Sequence, residues 1–229
     1  MHTRAAHARV SCAALLSALC LAGRVDVQLP GTRVPGGCDV PAKERTSEFG
    51  CYLTATVAID KLPDEAIFWH VYSYPTRAAA EAAQSGPACT VVESLGKVWL
   101  FTIAGRQWQP ATGERMAVVG PMPVPSARSY TARYMEAVFP PDQSMRTAVH
   151  RHSGPEAWFV LTGTQCLRTP DSTTLIRAGE GGFISSGPPM VLTSVGTETR
   201  RALVLVLHDP SEAWMTMASD WTPTKECPM

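Results

Sequence analysis

His150 and His152 stand one residue apart, Glu156 follows four residues after the second, and Gly163 closes the run. The stretch reads H-R-H-S-G-P-E-A-W-F-V-L-T-G. On a strand, residues i and i+2 project to the same side. The two imidazoles therefore aim together, and the Ser153-Gly154-Pro155 turn can swing Glu156 back toward them. Two imidazoles and a carboxylate converging on one point make a site for a divalent metal with open coordination positions. Fe, Mn, Ni, Cu and Zn are not distinguished by such a set. Trp158 and Val160 share the strand face of Glu156 by period two. They either line the same pocket or fill the core beneath it.

The surrounding pattern must supply the strands. After Met122-Pro123-Val124-Pro125, short apolar runs recur at 130–139, 145–152, 156–162, 165–168, 173–177, 182–185, 191–194 and 202–208. Gly, Pro and Asp separate them, and no helical period intervenes. Such spacing predicts an antiparallel sandwich or closed barrel. The run Leu203-Val-Leu-Val-Leu207 is apolar on both faces, so its strand is buried on both sides. One side is the barrel interior. The other needs a cover, from the preceding unit or from a second subunit in a homodimer.

Upstream, residues 50–123 read as β-β-α-β-β-β, a small α+β unit. Its helix opens at Pro75-Thr76, with Thr76 as cap, and runs to about Gln84. Residues 24–49 are polar and rich in Pro and Gly, which predicts a flexible lead-in. The barrel is expected over 126–210. A tail, 211–229, carries Trp214 and Trp221 and is expected to lie across a surface groove. The fold class is thus mainly β.

Composition agrees and excludes some functions. The chain has 229 residues, 45% hydrophobic and 17% charged, with 19 prolines and 17 glycines. Formal net charge is zero. No basic stripe suggests a nucleic-acid partner. No phosphate loop, dinucleotide fingerprint or G-x-S-x-G stretch occurs. Residues 1–23 join a basic start (Arg4, Arg9) to the uncharged run Val10–Gly23, which predicts a signal peptide rather than a membrane span. Cleavage after Ala22 leaves 18 basic against 20 acidic residues, a net charge of −2. A periplasmic or secreted protein is expected. A cytoplasmic one with a misassigned start is the alternative.

The same cleavage leaves five of seven cysteines, with no C-x-x-C pair. Cys38 and Cys51 are placed to bridge in an oxidising compartment, and Cys227 to tie down the tail. Cys89 and Cys166 read as small buried hydrophobes. His70 reads as a core histidine and His208 as solvent-facing. The facing of Tyr130, Arg133 and Tyr134 is open.

Residues 150–163 resemble the first motif of the cupin superfamily, which has two histidines, a glutamate and a glycine at this spacing. In that family the three polar residues are metal ligands inside a small antiparallel barrel, the double-stranded β-helix or jelly roll. The glycine expected six residues before the first histidine is Ser144 here. Gly179-Glu-Gly-Gly-Phe-Ile-Ser-Ser-Gly187 resembles the second motif, with Glu180 where aspartate is common and Ser185 in place of the usual proline. Met190 stands where the family has a fourth ligand, a histidine. The resemblance covers roughly residues 128–208.

A thioether is a soft, weak ligand. Met190 therefore either leaves an open three-ligand site or forms an apolar wall of a pocket without metal. The resemblance implies a small-molecule enzyme of oxygenase or isomerase type in the first case. In the second it implies a non-catalytic binding or sensor module.

Overall fold

The computed structural model describes residues 34–126 and 128–228. The expected signal peptide and the first part of the lead-in lie outside the described residues. In chain order the elements are β1 Gly50–Ile59, β2 Ile67–Tyr74, α1 Arg77–Ala82, β3 Thr90–Ser94, β4 Lys97–Gly105, β5 Glu114–Met122 and β6 Tyr130–Phe139. The barrel continues with β7 His150–Arg151, β8 Glu156–Thr162, β9 Thr164–Arg168, β10 Thr173–Arg177, β11 Gly181–Ile184, β12 Val191–Val195, β13 Arg200–His208 and β14 Thr216–Met217. The molecule is mainly β, as expected. The helix begins under its expected cap: the Thr76 hydroxyl accepts from the Ala79 amide at 3.2 Å.

Two sheets enclose the barrel. One has the order β1-β6-β13-β8-β11 and the other β10-β9-β12. Their strand pairings are all antiparallel. Inward residues of both, among them Met135, Trp158, Val160, Leu167, Leu192 and Val204, form one buried cluster. Alternation puts Leu203, Leu205 and Leu207 on the other face of β13. There they meet Trp69, Trp99 and Phe101 of a separate sheet, β3-β4-β2-β5. The cover required by the doubly apolar β13 therefore comes from the same chain.

Four local expectations need correction. First, β1 has the composition of a strand in the α+β unit, but it pairs with β6 at the edge of the barrel sheet. Strand propensity sets conformation and leaves the partner to tertiary packing. Second, residues 34–49 are not a loose lead-in. The Cys38–Cys51 disulfide and the bonds Cys38 N to Cys51 O, Cys51 N to Pro35 O and Leu53 N to Val40 O lay this segment along β1.

Third, the strand expected over 145–152 is reduced to β7, with single bridges Arg146–Thr193 and His150–Met190 around it. Fourth, Cys166 is not a lone hydrophobe but is bonded to Cys227, across 61 residues of sequence. Cys89 is buried and free, as expected.

The tail is pinned along its length. β14 pairs with β7, Arg151 holds both Asp220 carboxylate oxygens at 2.9 and 2.7 Å, and Cys227 ends at β9. Among the described residues, no helix is long and apolar enough to cross a membrane.

Candidate metal centre

β7 is short, yet it sets both histidines. His150 is locked against Met190, each backbone amide donating to the other's carbonyl at 3.2 and 2.8 Å. His152 follows at the end of β7, and the turn through Gly154 carries the chain to Glu156, the first residue of β8. This turn lies hard against β13: a Cβ on Gly154 would overlap the Leu207 carbonyl oxygen. Only glycine lets the chain pass there and bring Glu156 back to the histidines.

The three side chains are buried, and their ligand atoms all lie within 4.8 Å of one another. The ring centroids of His150 and His152 are 4.9 Å apart, nearly perpendicular. His150 Nδ1 donates to the Ala148 carbonyl at 2.8 Å, and His152 Nδ1 donates to the Trp214 carbonyl at 2.7 Å. A carbonyl oxygen only accepts, so both rings carry their proton on Nδ1. In the neutral rings, both Nε2 lone pairs are left for the interior. Backbone carbonyls that fix the tautomer in this way are the usual outer support of a metal-binding histidine.

Glu156 is held in the same manner. Its Oε1 accepts from the Trp158 indole at 3.1 Å. Its Oε2 lies 2.9 Å from His152 Nε2, but neither atom has a partner of hydrogen-bond geometry. With the ring neutral, two acceptor atoms face each other in a buried space; with it protonated, His152 and Glu156 form a buried ion pair. Burial lowers the pKa of His150, against the pull of Glu156. Burial also works to lower that of His152, but the Glu156 carboxylate beside it and the bond to the Trp214 carbonyl raise it overall. Nδ1–H on both rings and an anionic oxygen between them suit a divalent cation.

The three residues expected either to line a pocket or to fill the core beneath it are packed in the buried core next to this site. Met190 opposes His150 and is buried, while Trp158 and Val160 follow Glu156 into the same inner cluster. Their packing makes the side of the cluster facing the barrel core apolar. Tyr130 and Tyr134 face away, into the seam with the four-stranded sheet. His70 is fully buried, as expected, with Nε2 3.0 Å from the Gly105 carbonyl.

Three residues beside His152 were not assigned there by sequence. His208 is buried, not solvent-facing, and continues the inward parity of Val204 and Val206, with Nδ1 2.9 Å from the Asp209 carbonyl. Arg133 shares the inward parity of Met135, and its guanidinium lies 4.6 Å over the Trp214 ring. Trp214 in turn stacks on His152, with centroids 5.6 Å apart. Strand alternation could have found His208 and Arg133. No local signal points to Trp214.

Two antiparallel sheets closed around an inward His-His-Glu set, with position 190 paired to the first histidine, decide the architecture. This is the cupin fold. No protein-family model and no curated protein sequence matches the chain. Among solved structures, it is similar to a cupin-like protein of Thermotoga maritima, at 15% identity and TM-score 0.34, over 38% of this chain and 64% of that one. It is also similar to a Klebsiella pneumoniae protein with a double-stranded β-helix domain, at 19% identity and TM-score 0.33, over 39% and 76% of the two chains. A DMSP lyase structure is similar at 18% identity and TM-score 0.33, over 44% and 50%. The barrel here carries the four-stranded sheet on its outer face, and its disulfide-tied tail pairs with β7.

Proposed function

We propose that the chain is an exported cupin that binds one divalent metal through His150 Nε2, His152 Nε2 and Glu156, and acts on a small oxygen-bearing molecule as an oxygenase or isomerase-type enzyme. The observation that carries this reading is the pair of Nδ1–H bonds to backbone carbonyls. They turn both Nε2 atoms toward an anionic oxygen that has no proton donor of its own.

A bound metal would supply Lewis acidity or dioxygen activation at positions that three ligands leave free. The chain's own residues do the rest. Trp158 orients the Glu156 carboxylate, the Ala148 and Trp214 carbonyls hold the imidazoles, and Met190, Trp158 and Val160 exclude water from the core side of the cluster. Arg133 and His208 offer polar contact to an incoming ligand. The disulfides Cys38–Cys51 and Cys166–Cys227 support the oxidising compartment that export implies.

Metal analysis of the full chain, purified without chelator, tests the site. About one divalent ion per chain is expected, and none above background in the H150A/H152A double variant. Equal metal content in both would sink the assignment. Oxygen uptake with small phenols and thiols then separates an oxygenase from the other readings. The tight packing of Met190, Trp158 and Val160 favours one alternative, a non-catalytic binding or sensor module whose pocket takes only a very small ligand.

A further inference from the structure

Among the described residues, Arg200, Gln165 and Ser194 are fully buried inside the barrel with side-chain atoms that lack a hydrogen-bond partner, and none belongs to the candidate metal centre. Arg200 opens β13 with the inward parity of Ala202, Val204 and Val206. It is 0% exposed, and its Nε, Nη1 and Nη2 all lack a hydrogen-bond acceptor. Gln165 and Ser194 are also 0% exposed. They oppose each other in the β9–β12 register, on the same inner face as Leu167 and Leu192. Both amide atoms of Gln165 and the hydroxyl of Ser194 are without partners.

The strand register places all three at one end of the barrel. β13 runs from Arg200 to His208, antiparallel to β8, so Arg200 stands beyond Thr162 while Val206 stands beside Glu156. Gly163 forms the corner from β8 into β9, and a Cβ there would press on the Arg200 backbone at 2.9 Å. This corner seats Arg200 beside the start of β9, where Gln165 lies. Phe139 closes the group, its ring 4.7 Å from the guanidinium.

A buried cation without an anion or full hydrogen bonding is costly. The Phe139 face offsets only part of that cost. Burial pushes the Arg200 pKa down to about 10, so the group is still cationic at neutral pH. Glu156 is the charged group whose field reaches it, but no ion pair forms between them. The guanidinium, amide and hydroxyl together offer an excess of donors.

We propose that this closed end of the barrel binds a small monoanion through the Arg200 guanidinium, the Gln165 amide and the Ser194 hydroxyl. A halide asks for the least space. A formate- or acetate-sized carboxylate matches the guanidinium fork. The site does not depend on the metal centre.

The test is thermal unfolding of the full chain in EDTA, in a buffer whose only anion is a bulky sulfonate. Chloride, bromide, formate and acetate are titrated at constant ionic strength. The wild type is expected to gain about 5 °C, saturably, at a hundredfold excess over Kd of the preferred anion. The R200M chain is expected to fold and to lose the saturable gain. The chloride and formate arms identify the source.

Anomalous diffraction from bromide-soaked crystals should place bromide at Arg200 if halide is the ligand. If R200M does not fold, S194A takes its place, with an expected loss of at least about threefold in anion affinity. No saturable gain in the wild type, an equal gain in the variants, or ordered water alone at Arg200 would overturn the proposal. EDTA keeps a failed metal assignment from being mistaken for a failure here.

Discussion

His150 and Met190 stand side by side as a closed antiparallel pair, each amide bonded to the other's carbonyl. Opposed residues of such a pair project to the same side of the sheet. Met190 is therefore beside the ligand set and not turned out to solvent. A Met190→His substitution is expected to add a fourth nitrogen donor and raise metal affinity about tenfold or more. Competition against a chelator of known affinity checks this. Unchanged affinity would show that position 190 does not reach the metal.

Trp158 gives Glu156 its one side-chain hydrogen bond. A Trp158→Phe substitution keeps most of the packing and removes the donor. Metal affinity is expected to fall about 10- to 100-fold, as for other outer-shell losses. The same chelator competition measures it. An unchanged unfolding temperature in EDTA would separate the lost hydrogen bond from lost packing.

Gly154 is pressed against the backbone of β13. A Gly154→Ala substitution must displace the turn that joins the histidines to Glu156. A cost of about 1–3 kcal/mol or more in stability is expected from overpacking, together with weaker metal binding. Denaturant unfolding and metal titration of the same variant check both.

Cys166–Cys227 closes a loop of 61 residues. A Cys227→Ser substitution is expected to cost roughly 4 kcal/mol on chain-entropy grounds. It also frees the segment whose Trp214 carbonyl holds His152. Metal affinity should therefore fall with stability, and reduction of the wild type should do the same. A loss of stability at constant affinity would mean that β14 alone keeps Trp214 in place.

Much of the barrel was legible because alternation and turn residues are local signals. β6 and β8 lie where the apolar periods put them, and β13 is buried on both faces as its Leu-Val run requires. The His-His-Glu cluster was legible for the same reason, since one strand, one turn and the next strand carry it. What was not legible depends on distant partners. β1 looks like its neighbours in sequence but pairs with β6. Cys166 looks like a core residue until Cys227 reaches it. His208 ends a strand before Asp209-Pro210, as an exposed residue would, and is buried. Arg200 looks like a charged strand end and lies inside.

The four-stranded sheet has one more consequence, for assembly. By laying Trp69, Trp99 and Phe101 on the outer leucines of β13, the chain occupies from within a surface that a bare barrel would have to bury against a second copy. Any homodimer of this protein must therefore be built on a different face. Substitutions in the Trp69–Phe101 seam would then act as folding defects, independent of protein concentration, and not as defects of association.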